Sequence, residues 1–296
     1  MLNTPHPILS VPRGSELRRI QLRSRRLVTG DLLGQYRSAF RGTGLVFTDI
    51  REYQPGDDVK HIHWKATART GKVFVKSYEE DRQLRVLLAV DMSASMRALN
   101  QRSAYAKALE FAATIGALAQ RGNDLFGLSL FAEKPITYLQ PKSGAKRTHQ
   151  ILATLMSEQG DYHSTDLAAA LDHISLTLRK PSIIFVLSDF LCPAFDAPLK
   201  TLSVLHDVVL VQIESPLEQG DALGLVTFTD AETGEEAVVD TSDPVVRQKW
   251  SEALEARRAS LKETAQSCRA DHIVISDSVI RPLVRLMRER VRRIQR

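Results

Sequence analysis

The sequence contains little of what secreted, disulfide-stabilised or membrane-spanning proteins require. It has two cysteines, Cys192 and Cys268, far apart in a chain of 296 residues, so a disulfide framework is not expected. No run of about 18 apolar residues occurs, which argues against a transmembrane helix. The N-terminus lacks the basic and then apolar build of a signal peptide. We therefore expect a cytoplasmic protein.

Aromatic residues are also few, at 6% of the chain, and the net positive charge comes from the two terminal segments. Residues 1–43 contain eight Lys or Arg and two acidic residues, and residues 281–296 contain seven Arg and one Glu, whereas the rest is net acidic. Solvated faces of terminal helices explain this basicity as well as a docking surface does. Without an aromatic platform or a recognition helix, nucleic acid is not the expected partner.

What the chain does contain divides it into three parts. Residues 1–43 predict a basic helical segment, and residues 44–83 an extended segment with a turn-rich centre. From residue 84 to residue 296, buried-strand patterns alternate with helical patterns, which predicts a three-layer, doubly wound α/β fold around a mostly parallel, six-stranded sheet. The last helical pattern predicts one apolar face directed inward and arginines directed outward.

The first strand of this fold ends in an unusual set of polar residues. The apolar run of residues 84–90 leads directly into Asp91, Ser93 and Ser95. Residues two apart in an extended chain point to the same side, so these three side chains can converge. They would do so beyond the carboxyl end of a strand, where open α/β sheets bind their ligands.

Two later residues are expected at the same edge. Thr165 immediately precedes a predicted helix, and Asp189 follows the buried strand of residues 182–188. If the strands 84–90 and 182–188 are neighbours, both acids face one crevice. Two carboxylates and three hydroxyls form a set of hard oxygen ligands, which suits Mg²⁺ or Mn²⁺ rather than zinc.

This pattern of Asp-x-Ser-x-Ser, then Thr, then Asp resembles the metal-ion-dependent adhesion site of von Willebrand factor A domains. The resemblance covers residues 84–296, whose succession of strands and helices it also matches. It implies a von Willebrand factor A-like fold. It also implies that the five residues are metal ligands: Asp91, Ser93, Ser95, Thr165 and Asp189.

The segment from Gly44 to Arg69 carries a second resemblance, to the signature of the bacterial domain of unknown function 58 family, in which such a motif is fused to a von Willebrand A-type domain. The signature singles out Arg51, Tyr53, Asp57, Trp64 and Arg69. One interpretation makes them a partner surface. The other, which we favour, makes them a buried ion-pair and turn scaffold, with Trp64 in a core or an interdomain seam.

These observations predict a non-catalytic, divalent-metal-dependent protein interaction module. A metal coordinated in this way keeps a position open for an acidic side chain of a partner. The family resemblance further implies an adaptor that works with a MoxR-type AAA+ ATPase. One alternative is a metal-dependent phosphatase or hydrolase, but Ser93 stands where such a phosphatase has its second Asp. The other is nucleic-acid binding through the arginine-rich terminal helices.

Overall fold

A six-stranded sheet with helices on both faces is the centre of the computed structural model. The structure describes residues 14–41, 46–54, 57, 62–79, 83–97, 104–158, 160, 162–214, 224–229 and 236–295. The strands are β1 (Val46–Glu52), β2 (Phe74–Glu79), β3 (Arg85–Asp91), β4 (Leu125–Phe131), β5 (Pro135–Lys142), β6 (Ile183–Ser188), β7 (Asp207–Ile213), β8 (Leu225–Thr229), β9 (Glu236–Asp240) and β10 (Asp271–Ile275). The helices are α1 (Gly14–Leu27), α2 (Gly30–Arg41), α3 (Trp64–Thr70), α4 (Ala94–Arg97), α5 (Ala104–Gly122), α6 (Ala145–Ser157), α7 (Leu167–Thr177), α8 (Asp196–Leu205), α9 (Pro244–Ser267) and α10 (Ile280–Ile294).

The order of strands in the central sheet is β10-β7-β6-β3-β4-β5. All neighbours are parallel except β5, which runs antiparallel to β4. This is the order of doubly wound sheets, in which the winding direction reverses between the first and fourth strands. Here the reversal falls between β3 and β6, which are hydrogen-bonded neighbours. The predicted fold class is confirmed, as is the predicted adjacency of the two strands that end in acids.

The central strands are almost continuously apolar because helices cover both of their faces. One core packs the sheet against α2, α5, α6 and α10. The other core packs it against α7, α8 and α9. The alanine-rich inner face of α5 lets this helix lie close to the sheet, and Phe111 of α5 contacts Phe185 of β6 edge to face at 5.3 Å.

The N-terminal helices belong to the first of these cores. Tyr36 of α2 is fully buried, and Phe40 contacts Phe185 with 5.7 Å between the ring centroids. Helix α2 lies beside α10, and α1 lies across α5. The basic segment therefore contributes apolar side chains to the centre of the molecule, while Arg23 remains at the surface.

The segment predicted to be extended differs from the prediction in one respect. Strands β1 and β2 pair antiparallel as expected, but α3 lies between them. His63 caps this helix, since its Nδ1 accepts a hydrogen bond of 3.0 Å from the N–H of Ala66, and Gly71 ends it in the left-handed conformation. The prediction that Trp64 is buried is wrong: it occupies the first turn of α3 and is 69% exposed.

The prediction that the arginines of the last helix all point outward is also wrong for one residue. Arg290 is buried, and its guanidinium lies 4.6 Å from the centroid of the Phe40 ring. It donates to Asp207 at 2.5 and 2.7 Å and to Asp271 at 2.6 Å. Arg290 therefore connects α10 to the first residues of β7 and β10.

Within the described ranges, no helix has both the length and the apolar character that crossing a bilayer would require.

Candidate metal centre

The candidate centre lies at the carboxyl ends of β3 and β6, at the reversal point of the sheet. Asp91 is the last residue of β3, and Ser188 is the last residue of β6. The preceding residues, Val90 and Leu187, are directly opposite each other in the parallel ladder. The two strand ends are therefore held side by side by the backbone pairing of the buried core.

Asp91 is fully buried and receives hydrogen bonds from three separate segments of the chain. The hydroxyl of Thr165 lies 3.1 Å from Oδ1 and 3.0 Å from Oδ2. The hydroxyl of Ser188 donates to Oδ2 at 2.6 Å, and the backbone N–H of Ser93 donates to Oδ1 at 2.9 Å. These contacts fix the orientation of the carboxylate.

The two serines after β3 extend this group of oxygens. The hydroxyls of Ser93 and Ser95 are 3.1 Å apart, as expected when residues two apart point to one side. The backbone N–H of Met92 donates to the carbonyl of Phe131 at 2.8 Å, which ties the beginning of this loop to the end of β4. Ser93 is buried and Ser95 is half-buried, so the open side of the group lies near Ser95.

The loop that carries Thr165 is held by a carboxylate at the end of β4. Glu133 Oε1 accepts hydrogen bonds from the backbone N–H groups of His163 at 2.8 Å and Ser164 at 3.2 Å. These bonds lower the pKa of Glu133. The backbone N–H of Asp166 donates a hydrogen bond of 2.9 Å to the carbonyl of Ala132. Thr165 is thereby presented to Asp91 by a loop fastened on both sides.

Asp189 follows Ser188 directly and is buried. Its Oδ1 accepts from the backbone N–H of Leu191 at 3.0 Å, and the intervening Phe190 has a positive φ of 58°. The hydroxyl of Ser188 also accepts from the N–H of Phe190 at 2.9 Å. This tight turn keeps Asp189 beside the ends of the strands rather than in solvent.

Neither acid of the centre forms an ion pair with a Lys or Arg among the described residues, so the centre has a negative character. Burial is the largest of the effects that together raise the pKa of Asp91 from its ordinary 3.8 to about 6, and the negative charge of Asp189 acts in the same direction. Hydrogen bonds from Ser188 and Ser93 act in the opposite direction and do not cancel these effects. A cation placed between the two carboxylates would stabilise their charged form and so offset the unfavourable free energy of burying them.

The donor set fits a hard divalent cation. It offers carboxylate and hydroxyl oxygens, which Mg²⁺ and Mn²⁺ accept, and no thiolate or imidazole. No group of three or more His, Cys, Asp or Glu side chains with the arrangement of a metal site occurs in the described part of the chain. The fit therefore depends on the hydroxyls of Ser93, Ser95 and Thr165.

The structure brings the predicted residues to one place but adds two that the sequence did not indicate. Asp91, Ser93, Ser95 and Thr165 form a continuous series of contacts, and Asp189 affects the pKa of Asp91 from the neighbouring strand end. The two additional residues are Ser188, which orients Asp91, and Glu133, which holds the Thr165 loop. The signal in the sequence was the position of each residue at a strand end: Ser188 is the last residue of β6, and Glu133 lies two residues after β4.

Two of the residues singled out by the upstream signature, Tyr53 and Asp57, form local hydrogen bonds. Asp57 Oδ2 accepts from the backbone N–H of Gln54 at 2.8 Å, as in a tight turn, and the N–H of Tyr53 donates to the Val73 carbonyl. Arg69 is exposed on α3, and the side chain of Arg51 lies outside the described part of the structure. Among the described contacts, none joins these residues to the candidate metal centre.

Comparison with known protein sequences places this architecture in a family. The model of the family described as "Protein of unknown function DUF58" matches residues 49–260. The uncharacterized protein Rv1480 of Mycobacterium tuberculosis is 32% identical over 263 residues, which cover 86% of this chain and 81% of the relative. The uncharacterized protein Mb1516 of Mycobacterium bovis matches with the same identity and coverage.

Solved structures with a similar arrangement include von Willebrand factor A domains. A von Willebrand factor type A structure from Catenulispora acidiphila is 10% identical with a TM-score of 0.40, covering 75% of this chain and 43% of its own. The conserved hypothetical protein BatB from Bacteroides thetaiotaomicron is 16% identical with a TM-score of 0.43, covering 72% of this chain and 98% of its own. Neither likeness bears on the function of the site, which rests on the geometry above.

Proposed function

We propose that this chain, which belongs to the DUF58 family of proteins of unknown function, binds partner proteins through a divalent cation at the carboxyl ends of β3 and β6. Membership in the family confirms the resemblance noted for residues 44–69. The residues that would hold Mg²⁺ or Mn²⁺ are Asp91, Ser93, Ser95, Thr165 and Asp189. The bound ion would supply a coordination position for a carboxylate oxygen of the partner.

The observation that carries this proposal is the convergence on the Asp91 carboxylate. Hydroxyls from two other segments, Thr165 and Ser188, lie within 3.1 Å of it, although it is buried beside a second carboxylate. Burial of two nearby acids without a cation is unfavourable. A fold that keeps them together at a ligand-binding position of the sheet gains most when a cation is bound.

The balance of charge explains why the partner should be acidic. The two carboxylates balance the formal charge of a divalent ion, but the other three proposed ligands are neutral hydroxyls and add no negative charge. An ion held in this way attracts a further anionic oxygen. Ser95 is the least buried of the first three proposed ligands, so an incoming carboxylate would approach from its side.

Metal-dependent hydrolysis is the weaker alternative. An acid-first phosphatase needs a general acid two residues after its nucleophile, and Ser93, whose hydroxyl contacts Ser95, stands at that position. Glu133, a further carboxylate that contacts the Thr165 loop, accepts two backbone hydrogen bonds and its pKa is lowered. A group with a lowered pKa is a poor proton donor at neutral pH.

The nature of the partner follows from the family resemblance alone. We propose a MoxR-type AAA+ ATPase or one of its client proteins, with this chain as the adaptor between them. That the association takes place in the cytoplasm stays a prediction from the sequence.

Titration calorimetry with MgCl₂ and MnCl₂ tests the metal centre directly. The unmodified chain should bind one ion, and Asp91→Ala and Thr165→Ala should abolish or strongly weaken that binding. Ser164→Ala is the matched control, because it removes a hydroxyl from the same loop but leaves the backbone bond from residue 164 to Glu133. Unchanged affinity in Asp91→Ala would refute the assignment.

Affinity capture from a cell lysate, with and without EDTA, tests the interaction. A protein retained in Mg²⁺, released by EDTA and not retained by Asp91→Ala is the expected result. Recovery of nucleic acid alone, insensitive to EDTA and lost at high salt, would instead favour binding through the basic helices. Hydrolysis of p-nitrophenyl phosphate that depends on Asp91 would instead favour the alternative function, metal-dependent hydrolysis.

A further inference from the structure

The outer edge of β10 forms the floor of an open groove between two helices. The groove has a volume of about 630 Å³. His272, Ile273 and Val274 of β10 line its floor, while α9 and α10 form its walls. A cavity that touches three consecutive residues of an edge strand runs along that strand, so its shape suits an extended chain.

The backbone of β10 is oriented to receive a further strand. β10 is the last strand on its side of the sheet, and only β7 pairs with it among the described strands. The N–H of Glu214 donates to the carbonyl of Ile275 at 3.0 Å, which sets Ile275 toward β7. Because the two backbone groups of a strand residue point to one side and that side alternates, His272 and Val274 direct their N–H and C=O groups into the groove.

The walls of the groove are predominantly cationic. The charged lining residues are Arg258, Lys262, Arg281, Arg285 and Glu289. Arg258 pairs with the buried Glu214 at 2.5 Å, and Arg285 pairs with Glu289 at 2.9 Å. Lys262 of α9 and Arg281 of α10 are exposed and form no ion pair with any described residue, so one cation on each wall is available to a ligand.

The opposite edge of the sheet has a different character. The edge strand β5 has a proline at its first residue, Pro135, and another, Pro141, near its end. Proline lacks a backbone donor and protects an edge strand from further pairing. β10 has no proline, and the side chains flanking it are positively charged rather than obstructive. As far as the described residues show, the sheet is therefore blocked at one edge and open at the other.

We propose that the β10 edge binds an extended, acidic segment of a partner protein by strand addition. The segment would exchange backbone hydrogen bonds with His272 and Val274, while its acidic side chains, which alternate between the two faces of the added strand, meet Lys262 on one side and Arg281 on the other. This surface is independent of the proposed metal centre, because β6 and β7 lie between β10 and β3.

The groove favours a peptide over a nucleic acid for two reasons. Its floor is a row of backbone groups, which a strand uses in register and a phosphate backbone does not. Its lining contains no Phe, Tyr or Trp on which bases would stack. The cationic walls alone would attract both kinds of ligand, so the contribution of backbone hydrogen bonds to binding has to be measured separately from that of charge.

The test measures binding of the full chain to an array of eight-residue peptides in which four consecutive residues are glutamate, so that successive glutamates face opposite walls, and the other four residues are varied. Selected members should bind, whereas the same members methylated on alternating backbone amides should bind at least tenfold more weakly, since methylation removes the donors and keeps the charge. The double variant Lys262→Glu/Arg281→Glu should lose binding by a similar factor. Arg288→Glu is the matched control, since it reverses a charge on α10 outside the groove.

Two further controls separate the proposal from its rivals. Binding should persist in EDTA and in Asp91→Ala, so failure of the metal centre leaves this result unaffected. Absence of binding, equal binding of methylated and unmethylated peptides, or preference for an oligothymidylate would each overturn the proposal. A dimer of the free chain that the double variant disrupts would also overturn it, because the edge would then pair with a second copy.

Discussion

Ser188 donates a 2.6 Å hydrogen bond to Oδ2 of Asp91, which joins the last residue of β6 to the last residue of β3 across the reversal point of the sheet. The same hydroxyl accepts a hydrogen bond from the backbone N–H of Phe190. Ser188 therefore fixes both the carboxylate of Asp91 and the turn that carries Asp189. It is a positioning residue for the proposed centre rather than one of the proposed ligands.

Ser188→Ala should weaken Mg²⁺ binding without abolishing it. The substitution leaves a buried carboxylate oxygen with one donor fewer, which costs about 1–2 kcal/mol, or about tenfold in affinity. Titration calorimetry compares this variant with Asp91→Ala, which should lose binding altogether. Ser188→Thr, which keeps the hydroxyl, should retain most of the affinity. Equal loss in the alanine and threonine variants would contradict a role for the hydrogen bond.

Asp91→Asn should stabilise the metal-free protein at neutral and alkaline pH. The pKa of Asp91 is about 6 in the fold against an ordinary 3.8, so the folded state binds the proton more tightly and loses stability as the pH rises through this window. The loss is complete above about pH 6 and amounts to about 3 kcal/mol, which asparagine avoids because it carries no charge.

Urea unfolding in EDTA at pH 8 and at pH 4 measures this effect. The gain in the free energy of unfolding should be present at pH 8 and absent at pH 4. Mg²⁺ should stabilise the unmodified chain but not the variant. Asp166→Asn is the control, since asparagine also caps a helix and this residue is exposed. An Asp91→Asn variant that is less stable at pH 8 would show that the carboxylate is not destabilising.

The sheet and the proposed ligands could be predicted because both depend on local sequence. β3, β6 and β7 are continuous apolar runs, as strands covered on both faces must be. Asp91, Ser93 and Ser95 lie together because alternate residues of an extended chain share a side. The adjacency of β3 and β6 then followed from the strand order of a doubly wound sheet, which the alternation of strands and helices implies.

The errors concern residues whose environment is set by distant parts of the chain. Arg290 lies in an arginine-rich helix and resembles its exposed neighbours, but Asp207 and Asp271 at two strand starts hold it inside. Trp64 has the size of a core residue, yet the helix that begins there is short and has no buried residues. Neither the partner of Arg290 nor the exposure of Trp64 can be deduced from the residues beside it.

His272→Gln should make the fold less sensitive to acid. Burial is the largest of the effects that together lower the pKa of His272 to about 4; the charges of Lys262 and Arg258 act in the same direction, whereas Glu214 opposes them. The unfolded chain, with an ordinary pKa of 6.5, therefore binds the proton more tightly, and stability falls as the pH drops from 6.5 to 4. The complete loss is at most about 3 kcal/mol.

The direction of this effect is opposite to that of Asp91 over an overlapping range of pH, so the two partly cancel in the unmodified chain. When the pH is lowered from 7 to 4.5, urea unfolding should show that the unmodified chain loses stability relative to His272→Gln, because the variant keeps only the stabilising effect of Asp91 protonation. Glutamine can keep the contact that His272 Nε2 makes with Gln212 at 3.1 Å. His149→Gln, which makes the same replacement at an exposed position, is the control.

Arg290→Met should destabilise the fold more than any other loss of an arginine from α10. The side chain of Arg290 is 10% exposed and donates to two carboxylates, so its removal leaves Asp271, which is 16% exposed, without its closest cation. Breaking a buried pair by removing one partner costs about 3 kcal/mol or more. Because Asp207 is partly solvated, we expect a loss of about 3 kcal/mol and not a larger one.

Arg285→Met is the matched control on the same helix. Its side chain is 82% exposed and its ion pair with Glu289 is of the surface type, so its loss should cost less than about 0.5 kcal/mol. Urea unfolding at pH 7 compares the two variants with the unmodified chain. Similar stability of both variants would show that the contacts of Arg290 with β7 and β10 contribute no more than those of a surface arginine. A large loss confined to Arg290→Met would identify this residue as the attachment of α10 to the sheet.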